Sequence, residues 1–245
     1  MKDFAGKLAV ITGGGTGMGR ELARQLIAEG CDVAICDVID ENMQQTLTIC
    51  RKEAPQGVRI TAHLCDVSNE QQVLSFKDEV LDLHGRDHVN LLFNNAGIGS
   101  GVSFVDGPRD TWERTFNICW YGVYYCARAF MPYLVAADEA HMINTSSVNG
   151  FWASLGTDST HTAYSAAKFA VKGFSEALVT DLRVNAPHVK VSVVMPGHIG
   201  TSIFINSGKI DGHEAQNMTA EELQKVRQRI ASRLGVDLSD VTDDT

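Results

Sequence analysis

A chain of 245 residues is long enough to bury one substantial core, and its five prolines and lack of low-complexity stretches leave no visible linker. Thirty acidic against 21 basic residues give a net charge of -9, which argues against nucleic acid or an anionic membrane as the main partner. The apolar runs are of strand length, so no transmembrane helix is expected, and the opening MKDFAGK lacks a signal-peptide pattern, so a cytoplasmic location is expected.

The first element reads as a strand, KLAVITG (7–13). It runs into the glycine-rich TGGGTGMG (12–19) and then a helical pattern over 17–30. Strand, glycine turn and helix in this order open a dinucleotide-binding unit. Glycines let backbone N–H groups approach a pyrophosphate that a Cβ would hold off, and the helix start adds its own N–H groups and dipole. Further strands are expected at 32–38, 58–67, 89–97, 141–147 and 189–197, with helices near 40–54, 69–85, 110–136, 162–186 and 219–234. Ser68-x-x-Gln71 and Thr219-x-x-Glu222 read as capping boxes. Apolar strands alternating with amphipathic helices predict an α/β class: a single-domain, Rossmann-type, doubly wound parallel sheet with helices on both faces. Ligands bind such a sheet beyond the carboxyl ends of its strands, where Asp37, Asp66, Asn95, Ser147 and Pro196-Gly197 fall. The cysteines (Cys31, Cys36, Cys50, Cys65, Cys119, Cys126) form no CxxC pair and read as buried free thiols in a reducing compartment. The eight histidines show no metal spacing, and His161 and His198 receive no role. Trp120, Tyr121, Tyr124 and Tyr125 recur at helical spacing, as core or a helix–helix interface.

Several motifs stand in one order over roughly residues 5–205. T-G-x-x-x-G-x-G is Thr12, Gly13, Gly17 and Gly19, and N-N-A-G is Asn94 to Gly97. Asn117 follows in the next helix, and Ser147 directly precedes Val148-Asn149-Gly150. Tyr164-x-x-x-Lys168 and Pro196-Gly197-x-Ile199-x-Thr201 complete the set. In these residues the chain resembles the short-chain dehydrogenase/reductase family, in its shorter single-domain branch. The resemblance implies hydride transfer between a nicotinamide cofactor and an alcohol or ketone, with Asn117, Ser147, Tyr164 and Lys168 as catalytic residues. Tyr164 and Lys168, four apart, share a helix face. A free phenol is a poor base at neutral pH, and a neighbouring ammonium favours its phenolate. Tyr164 then takes or returns the hydroxyl proton. The resemblance further implies that Lys168 holds ribose hydroxyls, Ser147 stabilises the substrate oxygen and Asn117 holds a water linking Lys168 to solvent. Outside this context a Tyr-x-x-x-Lys pair is commonly just a partly exposed helix pair, and Asn117 a helix asparagine bonded to nearby backbone. Ser146 competes with Ser147, but its position marks it as a backbone-bonding neighbour.

The same resemblance places Gly13, Thr16, Gly17, Met18 and Gly19 on the cofactor. Asp37, followed by Val38, ends the second strand. A carboxylate there accepts from adenosine ribose hydroxyls and repels a 2′-phosphate, although it could also simply cap the next turn. NADP-preferring relatives often carry a basic residue where Thr16 or Val38 stands, so NAD is expected. Asp66 and Val67 should flank the adenine, Asn95 should lie along the adenosine ribose, and Thr201 and the Ile199 backbone should hold the nicotinamide carboxamide, with Ala96, Gly97, Pro196 and Gly197 also on the cofactor. The substrate is expected at Ser147, Phe151, Trp152 and Tyr164, with Ile98, Ile203 and Phe204 as further walls under a lid over 198–218. These walls suit a mainly apolar secondary alcohol or ketone, and an NAD pool kept oxidised favours oxidation. An NADP-dependent biosynthetic ketone reductase and a non-catalytic nucleotide-binding redox sensor are the alternatives. The helices carrying Asn117 and Tyr164 pack across a subunit boundary in the family, which implies a homodimer or homotetramer. Two departures stand out. Ser147 and Tyr164 are seventeen apart, with the excess in SLGTDSTHT as a surface insertion. The family's last helix and seventh strand find no pattern before DLSDVTDDT, so the last strand is expected to be missing.

Overall fold

In the computed structural model, β1 (Leu8–Thr12) is buried at every position, because LAVIT stands in mid-sheet with helices over both of its faces. The structure describes residues 1–99, 101–154, 160–197, 199, 201, 203–210, 224, 227, 228, 231, 237 and 238. Six strands form one sheet in the order β3-β2-β1-β4-β5-β6, where β2 is Asp32–Asp37, β3 Ile60–Leu64, β4 Leu91–Asn94, β5 Ala140–Thr145 and β6 Val189–Val194. Every pairing is parallel, with Ile11 opposite Ile35 on one side and Phe93 on the other. This is the expected doubly wound sheet, and no seventh strand occurs among the described residues. The order reverses between β1 and β4, which opens a crevice at the carboxyl ends of those two strands.

The helices between strands are α1 (Gly17–Ala28), α2 (Asp40–Glu53), α3 (Glu70–His84), α4 (Arg109–Phe116), α5 (Gly122–Val135) and α6 (Thr162–Asn185). One core cluster joins Ala9, Ile11, Val33 and Ile35 of the sheet to Ala23, Leu26, Ile27, Met43 and Leu47 of α1 and α2. The expected helix over 110–136 is interrupted: a π-helical turn, Asn117–Tyr121, separates α4 from α5. The start of α3 also differs from expectation. Asn69, not Ser68, caps it by accepting from the Gln72 N–H at 3.2 Å, and the Ser68 hydroxyl donates to Asp66 at 2.7 Å. Asn69, one residue nearer the helix, takes the cap because Asp66 already claims Ser68.

All six cysteines are buried and free. Burial pushes the thiol of Cys50 up to about 11 and that of Cys31 up to about 12, and raises those of Cys36 and Cys126 as well. Such thiols stay protonated and inert. Among the described residues no helix is long and apolar enough to cross a membrane, and no group of His, Cys, Asp and Glu could hold a metal ion.

The chain forms two compact units, Met1–Ile203 and Phe204–Thr245. The second is described chiefly through the helix that leads into it, α7 (Ile203–Ile210). The expected cap at Thr219 and Glu222, most of the helix over 219–234, His198, residues 211–218 of the lid and 155–159 of the insertion lie outside the described residues.

Candidate active site

The glycine turn is built as a phosphate cradle. Gly13 and Gly17 have φ of 66° and 54°, a left-handed backbone that a side chain would strain. A Cβ on Gly19 would collide with the Gly13 carbonyl, so α1 begins directly against the turn. Thr16 precedes α1 in extended backbone and its side chain does not cap it, so that side chain leaves the first N–H groups to a ligand. Met18, half-buried, lies in the first turn. Thr201 closes on the same place: a Cβ on Gly17 would stand 3.1 Å from the Thr201 Cβ. The segment Pro196–Thr201 thus returns to the glycine turn, with Gly197 and Ile199 exposed along it.

Asn95 works differently from expectation. Its side-chain nitrogen donates to the Thr12 and Gly13 carbonyls at 3.0 and 3.3 Å. The Thr12 hydroxyl accepts from the Asn95 and Ala96 N–H groups at 2.9 and 3.0 Å. Asn95 therefore braces the Asn94–Gly97 segment to the glycine turn, and its amide protons are committed to the protein.

At the end of β2, Asp37 accepts from Gly15 N–H at 3.0 Å through Oδ2, and from Val38 and Ile39 N–H at 2.8 and 3.2 Å through Oδ1. It caps the turn and retains acceptor capacity, next to the exposed Val38. Asp66 accepts from the Ser68 N–H and hydroxyl, while Val67 is buried and fills the space Gly122 leaves open, its Cγ2 2.7 Å from where a Cβ there would stand.

Tyr164 and Lys168 come together on α6 as their spacing requires. Lys168 is 2% exposed. Its Nζ donates to the Thr145 carbonyl at 2.8 Å and lies 5.4 Å from the centroid of the Tyr164 ring. Ser147 leaves β5 in extended backbone, buried, its Oγ accepting from the Asn149 N–H at 3.2 Å. The loop that carries it is bound to α6: the Ser146 hydroxyl donates to the Lys168 carbonyl at 2.7 Å, and Asn149 Nδ2 donates to the Ser165 hydroxyl at 3.3 Å. Ser146 is thus the backbone-bonding neighbour. Gly150, closing the 3-10 turn Val148–Gly150, permits this approach, because a Cβ there would stand 2.6 Å from the Lys168 carbonyl oxygen. Val148 N–H donates to the Pro196 carbonyl at 3.0 Å, which joins the Ser147 loop to the Pro196–Gly197 segment.

Asn117 does not join this group. It opens the π-helical turn on the exposed side of the helix, whereas Cys119 is fully buried. The Cys119 thiol donates to the Ile98 carbonyl at 3.6 Å. A Cβ on Gly97 would lie 3.7 Å from that sulfur and 3.6 Å from Lys168 Nζ. Residues two apart on a helix face different ways, so Cys119 turns toward Lys168 and Asn117 away. The apolar stripe carried the signal: Ile118, Cys119, Gly122, Val123 and Cys126 are all buried, and Asn117 lies off it.

Phe151 and Trp152 follow Ser147 at the mouth, 67% and 62% exposed. Ile98 is buried rather than a wall, and the Phe204 side chain lies outside the described residues. Phe104 is also exposed, its ring 6.4 Å from that of Trp112. The Trp112 indole in turn donates to the Thr162 hydroxyl at 3.0 Å, two residues before Tyr164. His161 sits at the helix start with its ring 6.4 Å from that of Tyr164. Phe104 was missed because its link to the site runs through Trp112 to a residue 50 positions further on.

Known proteins share the sequence pattern and the fold. Residues 7–211 match the short chain dehydrogenase family. The oxidoreductase SadH of Mycobacterium tuberculosis is 35% identical over 216 residues, which is 88% of this chain and 75% of that protein. A short-chain dehydrogenase/reductase from Burkholderia phymatum, solved in complex with NAD, superposes with a TM-score of 0.79 at 32% identity, over 93% of this chain and 79% of that one. A metagenomic short-chain oxidoreductase solved in complex with NADP gives a TM-score of 0.69 at 29% identity, over 80% and 84%. Motif order, sheet topology and these similarities converge, and the chain belongs to the short-chain dehydrogenase/reductase family of oxidoreductases.

Proposed function

We propose that the chain is an NAD-dependent oxidoreductase of a mainly apolar secondary alcohol or ketone, with Tyr164 as the general acid/base. The observation that carries this reading is the buried Lys168 ammonium held 5.4 Å from the Tyr164 ring by a single helix turn and the Thr145 carbonyl. The residues present fit a nicotinamide dinucleotide: glycines at positive φ, a helix start its N-cap side chain leaves open, and a carboxylate at the end of β2. Such a cofactor, when bound, takes up or gives the hydride. Tyr164 Oη removes the substrate hydroxyl proton in oxidation and returns it in reduction. Lys168 places positive charge where that oxygen gains negative charge, and Ser147 donates to the substrate oxygen. Cys119 puts a thiol, a weak hydrogen-bond donor, beside Lys168 where a carboxamide was expected.

Asp37 favours NAD. Its free acceptor capacity suits a ribose hydroxyl and repels a phosphate, and neither Thr16 nor Val38 offers a positive charge. The exposed Phe104, Phe151 and Trp152 favour an apolar substrate. The burial of all six cysteines, none of them in a CxxC pair, favours a cytoplasmic location.

Tyr164→Phe is expected to lower kcat about a thousandfold while NADH binding stays within about twofold. Retained turnover would remove Tyr164 from the mechanism. NADH should also raise the melting temperature more than NADPH at equal concentration. A larger shift with NADPH would overturn the cofactor assignment.

A further inference from the structure

Arg20 belongs to α1, yet its guanidinium turns back onto the glycine turn. Nε and Nη2 both donate to the Gly15 carbonyl, at 3.1 and 2.6 Å. Nε also reaches the Thr46 hydroxyl at 2.9 Å, and Nη2 the Asn42 carbonyl and Gln45 Oε1, each at 3.3 Å. The Thr46 hydroxyl adds a third donor to the same Gly15 carbonyl at 2.9 Å. The other side of Gly15 is held as well, because its N–H donates to Asp37. There is no slack between them: a Cβ on Gly15 would stand 2.7 Å from Asp37 Oδ2 and 3.0 Å from the Asn42 Cβ.

We propose that Arg20, seconded by Thr46, is a positioning residue for cofactor selectivity: it fixes Gly15 through its carbonyl, and the Gly15 N–H then fixes the Asp37 carboxylate. This rests on the NAD reading of the site. An ionised carboxylate offers about four lone-pair sites, and three backbone N–H groups occupy three of them at Asp37. The remaining site alone is left for a ribose hydroxyl. Where it points depends on Gly15, so a loosened turn misaims the acceptor and also withdraws the charge that repels a 2′-phosphate. Lysine cannot replace Arg20 here, since an ammonium lacks the planar fork that grips one carbonyl twice. The guanidinium charge permits an opposite role, as a direct ligand of a 2′-phosphate, and the two roles give opposite results.

The test is fluorescence titration of NADH and NADPH on the wild-type chain, Arg20→Lys and Thr46→Val, each first checked for a cooperative melt. Arg20→Lys should weaken NADH about tenfold and leave NADPH unchanged or tighter, so that selectivity falls. Thr46→Val, which keeps the guanidinium, should do the same to a smaller extent. Equal loss of both cofactors overturns the proposal, as does a selective loss of NADPH or no change. If Arg20→Lys fails to fold, Thr46→Val decides by the same outcomes. Wild-type preference for NADPH would instead overturn the underlying NAD reading, before any variant is made.

Discussion

Single atoms decide whether the catalytic loop meets its helix. Gly150 lies against the Lys168 carbonyl and the Ser146 hydroxyl, and a methyl group there has no room. Gly150→Ala should push the loop off α6, displace Ser147, and lower kcat at least about tenfold with a loss of about 2 kcal/mol in stability. Gly173 is the converse case, mid-helix in α6 with nothing within 4 Å of its would-be Cβ. Gly173→Ala should gain about 0.5–1 kcal/mol in urea unfolding without touching kcat, and a loss there would mean that face of α6 is covered. Ser147, Tyr164 and Lys168 were legible in the sequence because short motifs of fixed spacing carry them. Asn117 lies off the buried stripe of Ile118, Cys119, Gly122, Val123 and Cys126, and a motif read by residue type alone does not register that stripe. Arg20 was invisible because its side-chain partners Thr46 and Gln45 lie 26 and 25 residues away and its other bonds go to backbone.

Elements meet in a second polar chain, far from the catalytic loop. Glu79 of α3 bonds His63 Nδ1 at 2.8 Å, His63 Nε2 meets the Thr61 hydroxyl at 2.9 Å, and that hydroxyl meets His84 Nε2 at 3.0 Å. His84 Nδ1 is buried without a partner. Burial holds the His84 imidazole down to about 4, with Arg59, His63 and Arg86 pressing the same way and Asp32 opposing. A depressed histidine means that the unfolded chain binds more protons between about pH 4 and 6.5, so stability rises with pH across that window. Urea unfolding should therefore lose about 2 kcal/mol between pH 7 and 5 from this residue, and His84→Leu should flatten that slope. An unchanged slope would place the acid sensitivity elsewhere. The strands and most helices were legible from alternation and length. The exchange of Ser68 for Asn69 at the α3 cap was not, because it depends on the side chain of Asp66.

The whole molecule carries a seam of rings on one flank. Tyr121 stacks on Tyr125 at 5.5 Å, Trp120 on Tyr124 at 6.2 Å, and Trp120 meets Phe174 of α6 edge-on at 5.6 Å. Sequence spacing suggested core or helix–helix contact, and the structure gives the contact but leaves the rings partly exposed. We propose that a second copy of the chain covers them. Light scattering should then give at least twice the chain mass, and Tyr121→Glu should return it to that of one chain; a monomeric wild type would refute this. The thiols described earlier give the molecule a further property. Because every one is enclosed, an alkylating reagent reaches sulfur only when the protein opens. The native chain therefore carries its own unfolding clock, and a cofactor that binds only the folded form slows that clock in proportion to its hold.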